Sequence, residues 1–252
     1  MDLLFLAGGF VSEVNLREKA LNGYKALIKL NENFIADITL AAFRKSRYIK
    51  KIYVAAPPDI KRYLNAGHYD EFIQCDGTML DNVMFTITNG RIDKTKKIII
   101  SSCDLPFLTS AAIDNFAGFC LNSNFEAIYP VVTKKVYDLK YSAAPRTWFK
   151  CHDDTYTGGN FISIKPEVIL KNIEIIKNIY SDRKNPLKLA SILGFKTLIK
   201  YQAGLLTKKH VEDVAESIIK TPCFGFVSEF SEIVMDIDKI GDYSVALGIY
   251  NK

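Results

Sequence analysis

Asp104 stands in Ser102-Cys103-Asp104-Leu105-Pro106, directly after the apolar run from Lys97 to Ser102. A carboxylate at the carboxyl end of a buried parallel strand sits where open α/β sheets bind ligands. Its hard oxygens suit a Mg²⁺ ion that keeps several waters and bridges phosphates. The same residue also reads as a turn aspartate before Pro106, with Thr109 capping the next helix. A second candidate is Leu6-Ala7-Gly8-Gly9 at the end of the first apolar run. Small residues there let backbone N–H groups approach a base or a phosphate with no Cβ in the way, although a plain strand-to-loop turn asks for the same residues. Asp236 and Asp238 alternate near the end of the chain. Alternation puts two carboxylates on one face of a strand, and an aspartate before a helix also serves as its N-cap.

Other chemistries lack their residues. The five cysteines include no Cys-x-x-Cys pair, and His68, His152 and His210 have no metal-ligand spacing. The chain has no P-loop, no Gly-x-Gly-x-x-Gly turn and no Gly-x-Ser-x-Gly elbow. The 252 residues are 48% hydrophobic and 24% charged, a composition that excludes disorder and collagen-like repeats. A formal charge of +5 suits small anionic substrates and is too weak and too evenly spread to argue for nucleic acid. The longest apolar runs fall short of a membrane span, and the N-terminus lacks the basic region of a signal peptide. The expectation is a cytoplasmic protein with reduced thiols and no membrane partner.

The elements that must position these residues are short apolar runs alternating with amphipathic stretches. Leu3–Leu6, Lys51–Ala56 and Lys97–Ser102 read as strands covered on both faces. Phe34, Ile35, Ile38, Ala41 and Ala42 form a helix face after a cap at Asn31 or Asn33, and Pro57-Pro58 opens a shorter helix. This alternation predicts an α/β fold, a Rossmann-like and mostly parallel sheet flanked by helices. Phe125–Val132, Asn160–Ile164 and Cys223–Val227 read as later strands, with a further strand-like run from Ile233 to Asp238. Ile240, Tyr243, Leu247 and Tyr250 share one side of a last helix. No linker interrupts the chain, so residues 1–252 are expected to form one domain, with a helical elaboration over about 166–220.

The order of the pieces resembles the nucleotidyltransferases of the nucleotide-diphospho-sugar transferase fold. Within these it resembles in particular the branch that includes the molybdenum-cofactor guanylyltransferase-like NTP transferases. The resemblance rests on Leu6-Ala7-Gly8-Gly9, the segment Lys25-Ala26-Leu27-Ile28, Asp104-Leu105-Pro106, Gly158-Gly159-Asn160, Arg183-Lys184-Asn185-Pro186 and the aspartates before the final helix. It implies transfer of an NMP group from a nucleoside triphosphate to a phosphorylated acceptor, with release of pyrophosphate. It also implies that Leu6, Ala7, Gly8 and Gly9 hold the base and ribose, that Gly77 and Thr78 complete the base pocket, and that Lys25 reaches the α-phosphate. Asp104 and Asp238 would bind Mg²⁺, and Gly159 and Asn160 would contact the acceptor.

Arg183, Lys184 and Lys188 form a basic cluster that faces either the acceptor's anionic group or solvent. The chain departs from the family pattern after Gly9, where Phe10-Val11-Ser12-Glu13 replaces the usual glycine and arginine. Arg17 and Lys19 are the available substitutes, unless the loop is rebuilt. Two competing readings are a glycosyltransferase using a nucleotide sugar, with Asp236-Ile237-Asp238 as its metal motif, and a nucleotide-binding protein without turnover.

Overall fold

The first strand, β1 (Asp2–Leu6), alternates its side chains between two cores. Leu3, Phe5 and Ala7 enter one together with Ile99, Cys103 and Phe116. Leu4 and Leu6 enter the other with Ile98, Ile100 and Val83. Fully burying each such side chain is worth about 1.5–3 kcal/mol, which makes a one-residue slip of this strand prohibitive. A computed structural model of the chain describes residues 1–89, 92–142, 144–182 and 194–250.

The next strands are β2 (Lys29–Leu30), β3 (Asn33–Phe34), β4 (Ile52–Ala56), β5 (Glu71–Gln74), β6 (Ile98–Ser102) and β7 (Ala127–Thr133). After them come β8 (Phe149–Lys150), β9 (Thr155–Gly158), β10 (Phe161–Ile164) and β11 (Cys223–Val227). Among the described residues, nine of these form one sheet in the order β5-β4-β1-β6-β10-β7-β9-β8, with β11 added parallel to β7. β5, β4, β1 and β6 are mutually parallel, while β10 runs antiparallel to both β6 and β7. The expected mostly parallel α/β sheet is therefore present. The carboxyl ends of β1, β6 and β7 share one edge, and the site lies there.

β9 and β10 both pair with β7, but their registers disagree. Val131 faces Gly158 whereas Ile128 faces Ser163, so three steps along β7 match five along its partner. The two surplus residues, Gly159 and Asn160, form a bulge at the sheet edge. A Cβ on Gly159 would lie 2.9 Å from Pro130 Cγ and 3.2 Å from the Pro130 carbonyl oxygen, so the close approach requires glycine.

Several local expectations are corrected. The helix Ile35–Arg44 begins after Phe34 with no side-chain cap. Asn31 instead turns the β2–β3 hairpin at φ 53°, and Asn33 lies in β3. Pro58–Tyr63 is a 3-10 turn, not an α-helix. The run at 233–238 is no strand: Ser231–Val234 forms a 3-10 turn, and its continuation joins no ladder. The expected helical stretch over 166–220 is present, among the described residues, as the pieces Pro166–Lys171, Ile173–Asp182, Phe195–Gln202 and Lys208–Ile219. Thr109 does cap the helix Ser110–Asn122, accepting from the Ala112 N–H at 3.2 Å. The last helix, Ile240–Tyr250, packs Tyr243, Leu247 and Tyr250 against a small core containing Leu16 and Ile237. All five cysteines are free, and no described helix is long and apolar enough to cross a membrane.

Candidate active site

The loop after β1 is held by pairing. Ala7 N–H donates to the Ala55 carbonyl at 3.0 Å, and the Gly9 carbonyl accepts from Lys25 N–H at 2.9 Å. Val11 N–H donates to the Gly23 carbonyl at 2.9 Å, and the Phe10 and Tyr24 rings stack with centroids 4.5 Å apart. Phe10-Val11-Ser12-Glu13 is thus a loop clipped to the Lys25 segment. Glu13 caps the short helix Val14–Arg17, and its Oε2 accepts from Ile240 N–H at 3.2 Å, tying the loop to the last helix. Arg17 is exposed, and its side chain lies over Gly23 (φ 75°), where its Nε would sit 3.2 Å from an added Cβ.

Lys25 opens a 3-10 turn whose next two residues, Ala26 and Leu27, are fully buried. That anchor aims the lysine across the sheet edge. Its Nζ donates to Asp104 Oδ2 at 2.6 Å and also to Asp238 Oδ1. Asp104 follows β6 and is 4% exposed, with Oδ1 accepting from Ser102 Oγ at 2.6 Å. Its carbonyl accepts from Ile237 N–H at 3.2 Å, which brings the C-terminal segment to the site. Asp236, 7% exposed, forms an ion pair with Arg146. One oxygen from each of Asp104, Asp236 and Asp238 lies within 4.8 Å of the others.

The charges explain the titration behaviour. Burial alone would lower the pKa of Lys25, but Asp104 and Asp238 reverse this and hold it well above the ordinary lysine value. Asp236 is pushed up to about 6, first by burial and then by the Asp104 charge, against the opposing pull of Arg146. Three carboxylates facing two side-chain cations form a hard-oxygen donor set. Asp238 is more than half exposed, so water can complete a coordination shell there. The residues present fit Mg²⁺.

Lys25, Asp104 and Asp238, which the resemblance implied would share a site, meet at one point. Asp238 does not cap the last helix; the Asp242 carboxylate accepts from the N–H groups of Asp238 and Lys239 at 3.2 and 2.9 Å. Gly77 lies beside the glycine loop, bridged by the buried Asn82. Gly77 N–H donates to Asn82 Oδ1 at 2.9 Å, and Asn82 Nδ2 would lie 3.3 Å from a Cβ on Gly8. Thr78 N–H donates to Asp81 Oδ2 at 3.0 Å, so both N–H groups of this turn are spent locally. Gly159 and Asn160 occupy the bulge next to Ser102, whose N–H donates to the Asn160 carbonyl at 3.1 Å. The Asn160 side-chain nitrogen is buried without a partner. Arg183, Lys184 and Lys188 lie outside the described residues.

One participant escaped the sequence reading, and another was named there only as a possible partner of Asp238. Asp236 belongs with the other carboxylates, and its alternation with Asp238 was the available signal. Arg146 had none, because it sits in a loop with no periodicity.

No family model and no curated protein matches this chain. Solved structures do. A hypothetical transferase from Thermus thermophilus is 22% identical with a TM-score of 0.82, over 96% of this chain and 98% of that one. The 2-C-methyl-D-erythritol 4-phosphate cytidylyltransferase of Thermus thermophilus is 15% identical with a TM-score of 0.58, over 100% and 98%. CMP:2-keto-3-deoxy-manno-octonic acid synthetase, solved with CTP, is 9% identical with a TM-score of 0.59, over 99% and 97%. The chain shares the fold of these structures. The carboxylate cluster lies at the sheet edge formed by the ends of β1 and β6, where ligands of open α/β sheets bind.

Proposed function

We propose that the protein is a nucleotidyltransferase that moves an NMP group from a nucleoside triphosphate to a small phosphorylated acceptor. The observation that carries this reading is the convergence of Lys25 with Asp104 and Asp238 at that edge. Two of the similar structures are a cytidylyltransferase named for a phosphorylated substrate and a synthetase bound to CTP, which supports a triphosphate donor here. The motif order supports the guanylyltransferase-like branch as the subtype.

In this mechanism the loop from Gly8 to Glu13 and the Gly77 turn flank the base. Lys25, held by two carboxylates, presents a fixed positive charge to the α-phosphate, where negative charge builds in the transition state. An acceptor phosphate oxygen attacks the α-phosphorus, a new P–O–P bond forms, and the bond to the β-phosphate oxygen breaks to release pyrophosphate. The attacking oxygen is already an anion, so no general base is needed. Asp104, Asp236 and Asp238 would hold Mg²⁺, which when bound neutralises phosphate charge and aligns the leaving group. Arg146 partly offsets the burial and the Asp104 charge that favour the protonated form of Asp236, and adds positive potential to the site.

The test has two parts. A saturating nucleoside triphosphate with Mg²⁺ should raise the melting temperature by about 5–10 °C, with one base preferred and EDTA removing much of the gain. Pyrophosphate release should then depend on a phosphorylated acceptor. Release of a nucleoside diphosphate from a nucleotide sugar would favour glycosyl transfer, and a thermal shift without turnover would favour a binding protein. No shift with any common triphosphate refutes the reading.

A further inference from the structure

Phe10 follows the glycine pair and faces Tyr24 across an isolated antiparallel bridge. The backbone bonds on either side of it run from Lys25 N–H to the Gly9 carbonyl and from Val11 N–H to the Gly23 carbonyl. That pattern makes Phe10 and Tyr24 a non-hydrogen-bonded pair, the kind whose side chains stand closest on one face. Their rings accordingly stack, with centroids 4.5 Å apart and planes 26° from parallel. Val11 and Lys25, the next residue on each segment, point to the other face. Val11 enters the small core with Leu16 and Ile237, and Lys25 reaches Asp104 and Asp238. The stacked rings and the carboxylates therefore lie on opposite faces of one bridge.

In the sheet, β6 with Asp104 lies on one side of β1, and β4 and β5 lie on the other. The rings sit on the β4–β5 side. The turn Lys25–Leu27 packs against the turn Pro58–Tyr63 that follows β4. Gly8, two residues before Phe10, lies so close to that turn that an added Cβ would meet Pro57 Cδ at 3.1 Å. Asn82, which accepts from Gly77 N–H after β5, is nearly as close to Gly8. The Tyr24 hydroxyl is raised above its ordinary pKa by burial first, then by Asp76 and Asp59, one from each of these turns.

Folding does not account for the Phe10 ring. It is larger than Val11, yet Val11 is buried and Phe10 is 56% exposed. The loop also offers no cation to a triphosphate, because Phe10, Val11 and Ser12 are uncharged and Glu13 is spent on capping Val14–Arg17 and on Ile240 N–H. What it offers is an aromatic face beside a cleft walled by glycine. Every nucleobase has a π-face, so stacking on such a ring accepts any base. Tyr24 fixes the plane of that ring before a ligand arrives, which lowers the cost of ordering it.

We propose that the Phe10–Tyr24 pair is the platform on which the nucleobase of the donor triphosphate stacks, while Lys25, from the other face of the same bridge, meets its phosphates. This rests on the nucleotidyl-transfer reading and names the side chains that hold the donor's base. The loop binds the donor through the base and leaves phosphate charge to Lys25 and the metal.

The probes are ATP, GTP, CTP and UTP with Mg²⁺, titrated calorimetrically, with inorganic triphosphate as the base-free control. Phe10→Ala should raise the dissociation constants of the nucleotides about 5- to 150-fold, the equivalent of about 1–3 kcal/mol, and leave that of inorganic triphosphate within about twofold. Phe10→Trp should keep nucleotide binding. Phe10→Leu, which retains apolar bulk without a π-face, should not, and it carries the test should Phe10→Ala fail to fold. Unchanged nucleotide constants, a loss confined to one base, or full binding by Phe10→Leu overturns the platform and leaves nucleotidyl transfer standing. An equal loss for inorganic triphosphate also overturns it, since the substitution would then act through the Lys25 segment. A parent protein that binds none of the four nucleotides overturns the underlying reading instead.

Discussion

Replacing Lys25 by Met tests the electrostatic design of the site most directly. Lys25 and Asp104 are 22% and 5% exposed in their side chains and sit 2.6 Å apart, so their pairing is largely shielded from solvent. Removing one partner of a buried pair costs about 3–5 kcal/mol, because the other charge stays behind. Asp238 is 56% exposed and adds little to that figure. The variant also leaves three carboxylates within 4.8 Å facing Arg146 alone. Two charges at that spacing repel by about 3.5 kcal/mol at an effective dielectric near 20, and protonation of Asp236 relieves part of it. A net loss of about 3 kcal/mol is expected in EDTA, equivalent to a melting temperature lower by about 6–12 °C. Saturating Mg²⁺ should restore more than half of this in the variant while changing the parent less. In turnover, kcat should fall about 100-fold with a smaller change in KM, since the lysine gains interaction as charge builds at the α-phosphorus. A melting temperature in EDTA within about 2 °C of the parent would refute the electrostatic argument. A change confined to KM would make Lys25 a ground-state binding residue.

Asp104→Asn preserves shape and the Ser102 contact, so the variant should fold while Mg²⁺-dependent kcat falls steeply, through loss of several kcal/mol of transition-state stabilisation; unchanged kcat would dismiss Asp104 as a ligand. Asp236 is raised from 3.8 to about 6, so the folded state holds its proton where the unfolded chain has lost it. Stability of the metal-free protein should therefore fall as pH rises from about 4 to 6, by about 3 kcal/mol, and stay low above it. The melting temperature in EDTA should be higher at pH 5 than at pH 7, Asp236→Asn should flatten the profile, and a rise over that interval would contradict the assignment. Gly159→Ala places a Cβ 2.9 Å from Pro130 Cγ and 3.2 Å from its carbonyl oxygen, and should cost about 1–3 kcal/mol in chemical denaturation. A neutral result would show that the bulge has slack.

What the amino-acid order determined by itself was the run of β1, β4 and β6, the alternation of strands and helices, and Asp104 at a strand end. Each is a local matter: a fully buried strand must be apolar along its whole length, and a carboxylate just beyond it is exposed to the cleft by chain direction alone. Tertiary structure decided the rest of the site. Lys25 is indistinguishable from a solvated lysine until the loop after Gly9 pairs with its segment and aims it at Asp104, 79 positions away in the chain. Asp236 and Asp238 reach the same point without forming a strand, because Ile237 N–H binds the Asp104 carbonyl and the last helix anchors the residues beyond Asp238. Arg146 and the bulge at Gly159 and Asn160 had no periodic signal, since one is a loop residue and the other a mismatch of register between two partners of β7. Charges come together in a site through long-range contacts, and spacing along the chain records only the contacts made within one element.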